Sequence, residues 1–207
     1  MAEWTSGIYR LVGMPKFYAA FQDALGAAKG RKRLVREFIR PEPGSRILDL
    51  GCGSAAILPD LPSDVRYVGI DHNPRHIAKA KASHGEAGLF HAGDFSAAAS
   101  LSAEPYDLVL ALGLLHHLED DEVRSLLKLV RSVIGPNGRF LTVDPVFIEN
   151  QPAIARFLIR NDSGRNVRDE MGYAMLSRSI FPQVETFIHH DYLRFPYTHC
   201  FMEHRLG

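Results

Sequence analysis

The 207-residue chain is poor in cysteine and tryptophan, balanced in charge and free of long apolar runs. Its two cysteines, Cys52 and Cys200, are too few for a disulfide framework and lack metal-site spacing. With 24 basic and 24 acidic residues there is no net basic surface of the kind that holds a protein on nucleic acid. No apolar stretch approaches the roughly 18–20 residues that span a bilayer. Met1–Gly13 has scattered charges and no apolar core segment, so it does not read as a signal peptide. The cytoplasm is the expected location, with no nucleic-acid partner, no membrane and no metal.

What remains is an ordinary globular composition, 46% hydrophobic and 23% charged. A chain of this length buries about 70% of its unfolded surface and needs no covalent staple. No internal repeat or low-complexity linker interrupts it. Short apolar runs alternate with helical patterns from Arg46 onward, which predicts βαβ units and a parallel sheet. The expected strands are Arg46–Leu50, Val65–Asp71, Ala87–His91, Tyr106–Leu112 and Arg139–Asp144, followed by the pair Val184–Tyr192 and Tyr197–Arg205. Asn73 with Pro74 starts one helix and Gly85 ends it. Another begins at Asp120 or Asp121, with Val123, Leu126, Leu127, Val130, Val133 and Ile134 on its buried face. Gly135-Pro136-Asn137-Gly138 is expected to break the chain before the fifth strand.

Residues 1–44 read as a helical cap and 45–207 as one compact unit. In the cap, Phe17, Tyr18, Phe21 and Leu25 share one helical face. Leu34, Val35, Phe38 and Ile39 share another. The basic run Lys29, Arg31, Lys32, Arg33 and Arg36 lies opposite these apolar positions, as on an ordinary solvated face.

The chemistry concentrates at Ile47-Leu48-Asp49-Leu50-Gly51-Cys52-Gly53-Ser54, a strand expected to run through a glycine turn into a helix. Gly51, Gly53 and Ala56 also satisfy G-x-G-x-x-A, so the loop alone fits a dinucleotide as well. Asp49 tips the balance, because a carboxylate there repels a pyrophosphate but can orient the amino group of a methionine moiety. Asp71, 22 residues further on, can accept both hydroxyls of a ribose. Asp94 can accept from an adenine amino group, with Phe95 as an apolar wall.

Residues 46–144 resemble the S-adenosylmethionine (SAM) binding core of class I methyltransferases. Asp49-Leu50-Gly51-Cys52-Gly53 matches the family's D-x-G-x-G motif, and Leu115-His116-His117 its frequent L-H-H after the fourth strand. The chain departs from the pattern at Ala55, where the family often has glycine. More loosely, the whole chain resembles small bacterial methyltransferases with a short helical N-terminal cap.

The resemblance implies a Rossmann-like, doubly wound α/β fold. Its seven-stranded sheet would be mostly parallel and end in an antiparallel strand pair. It implies SAM as cofactor, S-adenosylhomocysteine as product, and a cofactor site of Asp49, Gly51, Cys52, Gly53, Asp71, His72, Asp94, Phe95, Leu112 and Gly113.

Methyl transfer from a sulfonium mainly needs alignment, and a general base helps where the acceptor is a hydroxyl. His116 and His117 are the candidates, His116 placed to reach the acceptor and His117 to serve structure. Arg160, Arg165 and Arg168 could grip an anionic acceptor, with Tyr9 and Tyr18 closing over it. The expected function is methylation of a small-molecule acceptor, oxygen ahead of nitrogen or carbon, by a monomer or homodimer. A non-catalytic SAM-binding module, an RNA or protein methyltransferase and an NAD(P)-dependent oxidoreductase are the alternatives. Absence of an N/D-P-P-Y sequence after the fourth strand argues against base amines of DNA or RNA.

Overall fold

The computed structural model describes residues 27–162 and 164–207. The aromatic face of the cap, with Tyr9 and Tyr18, lies outside the described residues. Seven strands form one sheet: β1 Arg46–Leu50, β2 Arg66–Asp71, β3 Leu89–Ala92, β4 Tyr106–Leu112, β5 Ile134–Pro145, β6 Gln183–His189 and β7 His199–Arg205. Their order is β3-β2-β1-β4-β5-β7-β6. The first five are parallel, and β7 runs antiparallel between β5 and β6. The mostly parallel sheet with a closing antiparallel pair matches the expected architecture.

The central strands are buried on both faces, which is why their sequences are apolar throughout rather than alternating. Helices α1 Ala27–Leu34, α2 Pro74–His84, α3 Asp120–Val133, α4 Ala153–Arg160 and α5 Glu170–Arg178 flank them. Asn73 caps α2 by accepting the Arg75 amide at 3.0 Å, with Pro74 in the first turn. A reciprocal capping box between Glu119 and Glu122 starts α3. The buried face of α3 is Val123, Leu126, Leu127, Val130 and Val133.

Two local expectations are corrected. No helix follows the glycine turn; residues 51–57 form successive turns, and a short 3-10 turn covers Leu58–Asp60. Ala55 is left-handed (φ 54°) and Pro59 and Pro62 follow closely, which leaves no room to propagate an α-helix. The left-handed backbone also explains why glycine suits the position of Ala55. Gly135–Gly138 lies inside β5, where the register against β4 shifts between the Tyr106 and Leu108 pairings.

Helix α1 and the π-helical turn Val35–Ile39 pack on the sheet. Leu34 and Ile39 are buried in one apolar cluster with Ile47, Leu108 and Phe201. Their basic run is largely paired: Arg31 with Asp60, Arg33 with Glu37 and Asp191, Arg36 with Glu37. Among the described residues no helix is long and apolar enough to cross a membrane.

Candidate active site

The strand order reverses between β1 and β4, and the crevice outside the carboxyl ends of the strands at such a switch point is where open α/β sheets bind ligands. Asp49, Asp71 and the turns after β3 and β4 all reach this edge. The amides of Gly51 and Cys52 donate to the Ile70 carbonyl at 2.8 and 3.1 Å, stitching the glycine loop to β2. Gly51 has φ 72°, and a Cβ there would sit 3.1 Å from Leu114 Cδ1, so glycine lets the β4 turn close on the loop. At Gly53 (φ 56°) a Cβ would meet nothing within 4 Å, leaving open space beside the loop.

Asp71 is buried at the end of β2. Its two carboxylate oxygens accept the amides of Gly53 (2.9 Å) and Asn73 (2.8 Å), and His76 Nδ1 lies 3.3 Å away. Asp49 is also buried and accepts the Tyr67 hydroxyl at 2.5 Å. Burial lifts the Asp49 carboxyl to about 7, opposed by the Tyr67 hydrogen bond and reinforced by the charge of Asp71. Cys52 sits between these acids. Burial and then Asp49 push its thiol far up, which makes it a poor nucleophile.

Asp94 is exposed and accepts the Ser96 amide at 2.8 Å; that bond holds its carboxyl below the usual range. Phe95 is partly buried against the main core. His72 is exposed beside Asp71, its Nδ1 3.8 Å from the carboxylate. Leu112 is partly buried at the end of β4, and Gly113 (φ 73°) donates its amide to Val143 at 2.7 Å. The glycine loop, both buried acids and the β4 turn are thus brought together at one sheet edge.

The histidine pair lies in a 3-10 turn, Leu115–His117, directly after β4. His116 is buried. Asp144, at the end of neighbouring β5, accepts both the His116 amide at 3.1 Å and its Nδ1–H at 2.7 Å. His116 Nε2 faces Asp162 Oδ1 at 3.4 Å. Burial by itself depresses the imidazolium, but the hydrogen bonds to Asp144 and Asp162 outweigh it and lift His116 to about 9. His117 stacks on His116 at 4.1 Å between centroids, is exposed, and is lowered by desolvation and then by the charge of His116. The division of roles expected for the pair, one reaching outward and one structural, meets a different geometry: His116 is the enclosed ring.

A loop after α4 encloses it. Asp162 accepts the Tyr197 hydroxyl at 2.6 Å and the Gly164 amide at 3.1 Å. The Asn166 amide donates to the His116 carbonyl at 2.9 Å. Against the effect of burial, the bonds from His116, Tyr197 and Gly164 hold the Asp162 carboxyl well below its usual range. Gly164 lies against the His116 ring so closely that any Cβ would collide with it. Arg168 does not point outward to an anion. Its guanidinium bonds the carbonyls of Leu115, Asn166 and Leu118 and the carboxylate of Asp120, tying the loop to the histidine turn. Arg160 and Arg165 are exposed.

Residues 48–140 match the family model for a methyltransferase domain. The matched segment holds the glycine loop, Asp49, Asp71, Asp94 and the histidine pair. A ubiquinone biosynthesis O-methyltransferase of Azorhizobium caulinodans is 34% identical over 118 residues, 52% of this chain and 46% of that protein. The chain therefore spans about half the length of the curated relative it matches. Among solved structures, a TehB-like SAM-dependent methyltransferase from Corynebacterium glutamicum superposes with a TM-score of 0.62 at 18% identity, covering 92% of this chain and 96% of that one. Human N-acetylserotonin methyltransferase in complex with SAM gives 0.66 at 20% identity, over 93% and 55%. These likenesses establish the methyltransferase fold.

SAM is bound in the last of these neighbours, and it is a ligand that the crevice of this chain suits. The donor set fits it: two buried carboxylates at adjacent strand ends and open space beside Gly53. Asp144, Asp162 and Tyr197 were not singled out for the site from sequence. Asp144 carried a signal all the same, as one more carboxylate at a strand end, beside the strand bearing the histidines. Asp162 and Tyr197 come from distant segments, and nothing local links them to His116.

Proposed function

We propose that the protein transfers the methyl group of SAM to a hydroxyl of a small molecule, with His116 as general base. The observation that carries this reading is the His116–Asp144 pair at the end of β4, 2.7 Å apart and adjoining the glycine loop. Asp144 fixes the ring with Nδ1–H inward, which leaves Nε2 as the atom that can take a proton from an acceptor. Asp71 receives the ribose hydroxyls, Asp49 the amino group of the methionine moiety, and Asp94 with Phe95 the adenine. Gly51, Cys52, Gly53, His72, Leu112 and Gly113 line the same crevice.

The cofactor supplies an electrophilic methyl on a sulfonium that is already a good leaving group. The chain's own work is alignment, exclusion of water and removal of one proton. In the enclosed state Asp162 occupies the space before Nε2 and keeps His116 protonated. Displacement of Asp162 by the acceptor hydroxyl removes one stabilising carboxylate, so the imidazolium releases its Nε2 proton to solvent; the neutral Nε2 then accepts the hydroxyl proton as the oxygen–methyl bond forms and the methyl–sulfur bond breaks. Arg160 at the end of α4 and Arg165 on the loop after it are exposed cations that would meet an anionic substituent of the acceptor. The name of the ubiquinone-pathway relative supports oxygen as the acceptor atom.

His117 gives a second reading, because it is exposed and held neutral, both suited to a base. Following S-adenosylhomocysteine formation over a panel of phenols and catechols separates them. The leading proposal expects turnover that is lost in His116→Ala and largely kept in His117→Ala, and the reverse pattern assigns the base to His117. Cofactor binding with no turnover across the panel would instead mark a non-catalytic SAM-binding module.

A further inference from the structure

We propose that Tyr67 is a positioning residue for cofactor binding: its hydroxyl fixes the Asp49 carboxylate in the orientation that receives the amino group. This rests on the reading of Asp49 given above. The parallel register pairs Ile47 with Tyr67 and Asp49 with Gly69, so these four positions project from one face of the sheet. Tyr67 starts two residues below the level of Asp49, yet its hydroxyl reaches Asp49 Oδ2 at 2.5 Å. The ring can lean along the strand because the position above it is glycine. A Cβ on Gly69 would lie 3.1 Å from Tyr67 Cε1, and one on Gly88 would lie 2.9 Å from Cδ1. Phe90 backs the ring at 6.0 Å between centroids. A tyrosine 3% exposed is thus held in a lane opened by two glycines, with its one polar atom on the acid.

The chemistry gives this contact a purpose. Asp49 is 3% exposed and must be ionised to pair with an ammonium group. The titratable groups facing it are Tyr67 and Asp71 of β2 and Cys52 of the glycine loop. Burial and Asp71 both favour the neutral acid; the Tyr67 hydroxyl favours the carboxylate, and the balance falls near 7. Loss of that hydroxyl tips Asp49 toward its neutral form. It also leaves the charged form with one fewer donor in a desolvated site.

Calorimetric titration with two ligands tests the proposal. S-adenosylhomocysteine carries the amino acid moiety, whereas 5′-methylthioadenosine shares the adenosine and thioether without it. Tyr67→Phe is expected to weaken the first on the order of tenfold at pH 7 and the second by no more than about twofold. The acid limb of the pH dependence of S-adenosylhomocysteine binding should also move to higher pH, and 5′-methylthioadenosine should show no such limb. 3-Fluorotyrosine at position 67 keeps the ring, makes a stronger donor and should move that limb to lower pH, which covers the case of Tyr67→Phe failing to fold. Equal losses for both ligands, or a limb that moves in neither variant, overturn the role of Tyr67. Asp49→Asn is the control for the underlying reading. If it fails to discriminate between the ligands, the amino-group assignment of Asp49 is itself wrong, whatever Tyr67 does.

Discussion

Asp144 accepts two hydrogen bonds from His116 on a single oxygen, the backbone amide at 3.1 Å and imidazole Nδ1 at 2.7 Å. One bond fixes the turn and the other fixes the ring within it, so the end of β5 dictates where Nε2 points. Asp144→Asn removes the charge that stabilises the imidazolium while preserving shape. His116, followed by histidine-selective NMR, should titrate near 9 in the native protein and at lower pH in Asp144→Asn. Turnover should fall by about 10²-fold or more. An unchanged titration would remove Asp144 from the mechanism.

The enclosing loop gives a second expectation. Gly164→Ala places a methyl group where the His116 ring stands, so either the ring or the loop must move. Because Asn166 and Arg168 anchor the loop to the histidine turn, the displacement should concentrate at residues 161–165. Asp162→Asn leaves the backbone in place and removes only the charge. Both variants should lower the His116 titration, and Gly164→Ala alone should speed proteolysis between α4 and α5. Equal cleavage rates in Gly164→Ala and the native protein would show that the loop absorbs the methyl without moving.

Ligand affinity should separate the two buried acids. Asp71→Ala removes the carboxylate assigned to the ribose, which S-adenosylhomocysteine and 5′-methylthioadenosine have in common. Both should weaken by about two orders of magnitude, since charge-assisted bonds to two hydroxyls are lost. Calorimetry showing a loss for only one of them would relocate the ribose.

Stability should fall on both sides of neutrality. His204 is fully buried; its Nδ1 lies 3.0 Å from the Phe140 carbonyl and its Nε2 2.9 Å from Ser177 Oγ. Burial is the main cause of its low value, about 4, against an unfolded value near 6.5. A depressed histidine contributes stability above its unfolded pKa that is lost as pH falls, here by about 3 kcal/mol between pH 6.5 and 4. His116 is raised, so its contribution is complete below pH 6.5 and disappears as pH rises through 9. Urea unfolding across pH 4–10 should show a maximum between these limits. His204→Gln should flatten the acid limb and Asp144→Asn the alkaline one.

The sequence by itself determined the central strands, their parallel stacking and the acids at the strand ends, because each is written in a contiguous stretch. Arg46–Leu50 and Tyr106–Leu112 are apolar runs that only a strand covered on both faces explains, and both were found with those bounds. Asp49 and Asp71 follow from lying at strand ends beside glycine. The segment after Gly53 misled because helix signals there compete with a left-handed Ala55 and two prolines, and the prolines prevail.

Tertiary structure alone decided the state of the histidine pair. His116 and His117 are neighbours in one turn, and sequence offers no reason for one to be enclosed and charged and the other open and neutral. That difference comes from Asp144 28 residues away, Asp162 on a later loop and Tyr197 beside β7. A pKa is set by the charges and the solvent within a few ångströms, and those are a property of the folded sheet edge rather than of any stretch of chain.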